Sequence, residues 1–367
     1  MKKKRLLILE SGHVWEGEAF GGDHYEVGEI VFNTSMTGYQ EIISDLSYCG
    51  QIVVMSYPMV GNYGMNGEDF ESIHPAIFGF VVGEHCERVS HYRSTWTLDE
   101  YLAAKGIPGI SGIDTRELIK VIRTLGVMKA VMADEGSDVE AIVEMLKTYK
   151  MPTNQVEMVS TKKVFQIPNH GEHVVLMDFG VKSGIIRELS QRHMKVTVVP
   201  YNTSAKEILA FQPDGVLLSN GPGDPKDLPE VIQTIQELMG KVPIFGICLG
   251  HQLIALACGG DTMKLTFGHR GGNHPVLNIV NNQVEITSQN HSYAVDTESL
   301  EGTGLQVTHK ALHDESVEGL AHSKYPIYSV QYHPEASCGP MDANGLFDEW
   351  QKIMKQIKED NENGKKK

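Results

Sequence analysis

The chain has 367 residues, 41% of them hydrophobic, and 47 acidic against 32 basic residues leave a formal net charge of −15. That length favours two domains with ordinary buried cores, and the acidic balance argues against nucleic acid, whose binders usually show a basic face. Five cysteines, with no C-x-x-C pair among them, fit a reducing cytoplasm and argue against a zinc module or a disulfide framework, so no metal is expected.

Met1 to Arg5 is basic, but the apolar run after it, Leu6 to Leu9, is too short for a signal-peptide core and reads as a first strand. No stretch approaches the length of a membrane span, so no membrane association is expected. Residues 1–150 read as a small strand-rich α/β domain. Its candidate strands are Leu6–Leu9, Glu29–Phe32, Ile52–Ser56 and Ile77–Val82. A helix is predicted over Asp114–Leu125, with Asp114 as N-cap, Glu117 three places on, and Gly126 to stop it. Another is predicted over Val139–Lys147, capped by Ser137 or Asp138. Residues 151–172 carry two prolines and no period, and read as a linker.

Beyond it the rhythm becomes strand, helix, strand, helix. Strands are predicted at Val174–Met177, Val196–Val199, Gly215–Ser219 and Val242–Phe245. Helices fall at Gly184–Leu189, Ala205–Ala210, Val231–Met239 and Leu249–Cys258. This alternation means an open, mostly parallel sheet with helices on both faces. More strands follow at Val276–Val280, Val284–Thr287, Leu305–Thr308 and Ile327–Gln331. A last helix at Gly345–Ile357 closes a domain spanning 173–357, and residues 358–367 read as a charged, solvated tail.

The chemistry centres on VPIFGICLGHQ, from Val242. Gly246 and Gly250 flank Cys248 as G-x-C-x-G, the cysteine form of the strand-to-helix nucleophile elbow. Glycines suit a turn with no room for a Cβ, and the helix N-terminus beyond favours a thiolate. Alone, the spacing also fits a buried structural cysteine. A nucleophile needs a base and the base an orienter. In QYHPEAS, from Gln331, His333 follows an apolar strand with Glu335 two residues on, on the same side of extended chain. A solvated surface loop fits that string as well. SNGPGDP, from Ser219, follows a strand and is rich in glycine, so its N–H groups could join that of Leu249 in holding an oxyanion. It is not a Walker loop, since no Gly-Lys-Ser/Thr follows.

GICLGHQ at Gly246, SNGPGDP at Ser219 and YHPE at Tyr332 resemble the class I (triad) glutamine amidotransferase domain. FNTSMTGYQEI from Phe32, SYPMVGNYG from Ser56, GIDTRELI from Gly112, FGHRGGNHPV from Phe267 and SQNHSYAV from Ser288 resemble the carbamoyl-phosphate synthase small-subunit family. The resemblance implies a catalytic triad of Cys248, His333 and Glu335. It implies L-glutamine contacts at Ser47, Gly221, Gly223, Leu249, Gln252 and Asn290, with Ser292 and Tyr293 beside them. Ser292 stands where many relatives carry glycine. Ser47 lies in the first domain, so its contact would make the pocket an interdomain cleft. The family further implies a large-subunit partner that holds ATP and magnesium and receives ammonia, with no cofactor in this chain. Two other readings remain: the glutaminase component of anthranilate or guanylate synthesis, and a catalytically silent scaffold.

Overall fold

A computed structural model describes residues 3–364. The chain folds into two compact units that meet in sequence between Thr153 and Asn154.

The first unit is built on a closed seven-stranded barrel. Around the barrel run Lys4–Leu9, Val14–Gly21, Pro108–Ser111, Gly79–Val81, Gln51–Met55, Gly28–Asn33 and Met128–Asp134, the last pairing back to the first. Closure needs Val14–Gly21, Pro108–Ser111 and Met128–Asp134, none of which the sequence pattern predicts. Both faces of the first strand are buried, which is why it reads as an unbroken apolar run. Leu6 and Ile8 cluster with Val131, Ala133 and Leu146, while Leu7 and Leu9, on the opposite face, are fully buried. Arg5 belongs to the barrel as well. Its guanidinium donates to the carbonyls of Phe20, Gly22 and Gly109 and to Asp23. The helix predicted from Asp114 forms over Thr115–Leu125, and Asp114 accepts from the Glu117 amide at 2.9 Å. Glu117 does not complete the reciprocal cap, because its carboxylate accepts from the Trp15 indole. Asp138, the second of the two candidate caps, heads Val139–Thr148.

The second unit holds a ten-stranded sheet. Five strands are parallel, in the order Lys195–Pro200, His173–Asp178, Gly215–Leu218, Ile244–Ile247 and Ile327–Val330. Alternate residues feed opposite faces. Val175, Met177, Val216, Leu218 and Ile244 pack under helices Ala205–Ala210, Pro229–Leu238 and Leu249–Ala257. Val174, Leu176, Leu217, Phe245 and Ile247 pack under helices Ser183–Gln191 and Leu346–Gly364. This is the expected α/β layering. Beyond Ile327–Val330 the sheet turns antiparallel through Val317–His322, Leu305–Ala311, Thr262–Asn278 and Gln283–Val295. The last two form a long bulged hairpin where two short strands are predicted.

Two stretches differ from their expected character. The supposed linker, 151–172, carries helix Gln155–Val159 and strand Phe165–Ile167, which pairs with Lys195–Pro200. Val156 is buried in the core, and the Thr161 amide donates to Asp178 at 2.7 Å, so most of this stretch is tied down. The supposed tail continues the final helix through Gly364, and its residues 365–367 lie outside the described residues. Among the described residues no helix is long and apolar enough to cross a membrane.

Candidate active site

The Ile244–Ile247 strand runs directly into helix Leu249–Ala257, and Cys248 is the single residue between them. Its φ is +53°, a conformation a side chain adopts only when its surroundings enforce it. They do so through backbone bonds and close packing. The Cys248 amide donates to the Val330 carbonyl at 2.9 Å, and the Gly250 amide donates to that of Ser219 at 3.1 Å. A Cβ on Gly246 would lie 2.7 Å from the Gly250 carbonyl oxygen, and one on Gly250 would lie 2.3 Å from that of Leu218. Both predicted glycine requirements are therefore steric.

Cys248 is buried, and its thiol points toward the Asn290 carbonyl at 3.6 Å. His333 follows the neighbouring Ile327–Val330 strand, and its amide donates to the Ser288 carbonyl. Its Nδ1–H donates to Glu335 Oε1 at 2.7 Å. Nε2 has no hydrogen-bond partner, and the ring interacts electrostatically with the Cys248 sulfur. The three residues predicted as a catalytic set thus meet inside the protein.

A fourth residue escapes sequence reasoning. Lys182, buried at the N-cap of helix Ser183–Gln191 just after the His173–Asp178 strand, places Nζ 3.0 Å from Glu335 Oε1 and donates to the Ala336 carbonyl at 2.8 Å. Burial raises the Glu335 carboxyl, but Lys182 and His333 overcome this and bring it down to about 2. Burial likewise disfavours charge on His333, but the Glu335 carboxylate wins and the ring is raised to about 10. The Glu335 carboxylate therefore stabilises the imidazolium that forms when His333 takes a proton.

Lys182→Met is expected to cost about 3 kcal/mol of stability near pH 7, the scale for breaking a buried ion pair. A depressed carboxyl contributes fully above its ordinary value of 4.5 and loses that contribution as pH falls toward 2. The deficit of Lys182→Met should therefore shrink below pH 4.5, and denaturant titrations at pH 7 and pH 3 check this.

The other predicted contacts distribute as follows. Gly221 packs against Leu249, since a Cβ there would lie 2.9 Å from Leu249 Cδ2, and Gly223 takes φ +90° beside Gln155. The SNGPGDP loop therefore flanks the elbow. Gln252 donates to the Tyr293 carbonyl at 2.8 Å and to Gln331 at 3.0 Å, which ties the elbow helix to the Gln283–Val295 strand. Asn290 pairs with Arg270 across the hairpin. The Ser292 hydroxyl oxygen accepts from the Arg270 guanidinium. Ser47 belongs to the first unit, buried in a turn where its amide donates to Asp45.

Two family models match the chain. The model for glutamine amidotransferase class-I covers residues 175–353, and that for the carbamoyl-phosphate synthase small chain, CPSase domain, covers residues 7–132. The carbamoyl phosphate synthase small chain of Listeria monocytogenes serovar 1/2a is 58% identical over 351 residues, 96% of this chain and 97% of its own. That of Bacillus caldolyticus is 56% identical over 354 residues, 96% and 97% of the two chains. The pyrimidine-specific small chain of Bacillus subtilis strain 168 is 54% identical over 359 residues, 98% of each. With both units matched in order and these relatives aligned nearly end to end, the chain belongs to the carbamoyl phosphate synthase small-chain family.

Proposed function

We propose that the chain is the glutaminase subunit of a carbamoyl-phosphate synthase. The observation that carries this reading is the buried line from Cys248 through His333 and Glu335 to Lys182 at the end of a parallel sheet.

In the proposed mechanism Cys248 gives its proton to His333 Nε2, and its sulfur attacks the side-chain amide carbon of L-glutamine. The oxyanion is held by the N–H groups of Leu249 and Gly223. The protonated His333, stabilised by Glu335, donates to the departing nitrogen. The C–N bond breaks, ammonia leaves and a γ-glutamyl thioester remains on Cys248. His333, now neutral, takes a proton from water, which attacks the thioester carbon. The sulfur leaves with the proton restored, and glutamate is released. Within the second unit glutamine is positioned by Gly221, Gln252 and Asn290, with Ser292 and Tyr293 beside them. Ammonia then passes to a large-subunit partner, where ATP, magnesium and bicarbonate complete carbamoyl phosphate. The first unit favours this reading over anthranilate or guanylate synthesis.

A glutamine analogue carrying an electrophile at the side-chain position tests the assignment. Peptide mapping is expected to find the label on Cys248, with glutamine protecting. Labelling of Cys258 or Cys338 instead overturns it.

A further inference from the structure

A second cluster of imidazoles and carboxylates lies on the antiparallel side of the sheet, and the proposed glutaminase chemistry does not use it. His269 stands on the Thr262–Asn278 strand, while His313 and Asp314 sit in the turn between Leu305–Ala311 and Val317–His322. Their inward atoms converge. His269 Nε2 is 3.0 Å from His313 Nε2 and 2.9 Å from Asp314 Oδ2, and the last two are 3.7 Å apart. The circle through these three atoms has a radius of about 1.9 Å, so an ion just out of their plane meets all three at about 2.0–2.1 Å, the length of a zinc–imidazole bond. We propose that His269, His313 and Asp314 form a binding site for a divalent cation of the zinc class.

The surroundings suit that role. Asp314 Oδ1 accepts from the Ser316 amide at 3.1 Å and its hydroxyl at 2.8 Å, which leaves Oδ2 aimed at the cluster. On the far side of His269, Nδ1 faces the buried Glu318 carboxylate at 3.6 Å. A carboxylate behind a histidine is the usual support for a metal-ligating ring. A third imidazole, His274, lies 5.6 Å from both, stacked on His269 and edge-on to His313, and its Nε2 is buried without a partner. His313 and Asp314 are 41% and 36% exposed, which provides an entry path to the buried His269. Two neutral imidazoles and one carboxylate select zinc or cobalt over magnesium or calcium, which prefer all-oxygen sites.

Cobalt(II) titration of the full chain carrying Cys248→Ser, which removes the competing active-site thiol, tests the site. One equivalent is expected to bind with the visible absorption of a four-coordinate ion and no thiolate charge-transfer band. His313→Gln and Asp314→Asn, both in a solvent-facing turn, should each weaken binding by about tenfold or more, and His313→Gln should do so with little change in the metal-free melting temperature. Replacement of the exposed His24, by contrast, should have no effect. Zinc should raise the melting temperature of the parent and not of Asp314→Asn. Absence of stoichiometric binding, or binding that both turn variants leave unchanged, overturns the proposal.

Discussion

Cys248→Ser is expected to lower glutamine-dependent turnover by about 10³-fold or more, the scale for removing a catalytic nucleophile. A hydroxyl in the same elbow is isosteric enough to keep the turn, since the backbone conformation at φ +53° and the bonds to Val330 and Gln252 do not involve sulfur. The melting temperature should therefore stay close to that of the parent, because the change conserves volume at a buried site and the hydroxyl can donate to the Asn290 carbonyl as the thiol does. Assembled with its large-subunit partner, the variant should make carbamoyl phosphate from added ammonia at the parental rate. Loss of both activities would contradict the division of labour between chains. Retention of glutaminase activity would remove Cys248 from the nucleophile's role and leave its buried elbow without a function.

The parts of this site legible in the sequence are those whose chemistry is local. Gly246 and Gly250 announce a turn because the chain itself must pass within contact distance of Leu218 and of its own next turn. His333 and Glu335 announce a pair because extended backbone puts alternate residues on one side. Lys182 is not legible in that way. It lies about 150 residues before Glu335, and it reaches the carboxylate because the His173–Asp178 strand and the Ile327–Val330 strand end at the same edge of one parallel sheet. The usable signal was its position just after the first parallel strand, where loops converge on a site. Gln331 is similar: its bond to Gln252 exists only once the elbow helix lies on the sheet.

The fold divides along the same line. Parallel strands buried on both faces are unbroken apolar runs, so Val174–Met177 and Val196–Val199 stand out and lie inside the observed strands. Val14–Gly21 is missed because it carries Trp15, Glu16 and Glu18 among glycines and is half exposed, and only barrel closure makes it a strand. The Thr262–Asn278 hairpin arm is missed over its first half for a related reason. Lys264, Gly268, Arg270 and Gly271 break any period, and two register shifts bend the pairing there. That irregular half carries His269 and Arg270, so the segment hardest to assign from pattern holds much of the chemistry outside the elbow.

Gly250→Ala is expected to destabilise the second unit by about 3 kcal/mol, the upper part of the range for overpacking a rigid core. The added methyl would stand 2.3 Å from the Leu218 carbonyl oxygen and 2.7 Å from Leu218 Cβ, and neither atom is the end of a flexible side chain. Leu218 is paired on both sides, to Met177 and to Gly246, so it cannot retreat without breaking the sheet beneath the elbow. The helix must move instead, and Cys248 moves with it. Urea denaturation should show the loss, and the rate of labelling by the glutamine-directed electrophile should fall in parallel. Gly67→Ala is the control, because a Cβ there meets nothing within 4 Å and no positive φ is required. If Gly250→Ala were as stable as Gly67→Ala and labelled at the parental rate, contact with the central strand would not be what presents Cys248. The thiol's position would then have to be set by the Cys248 backbone alone.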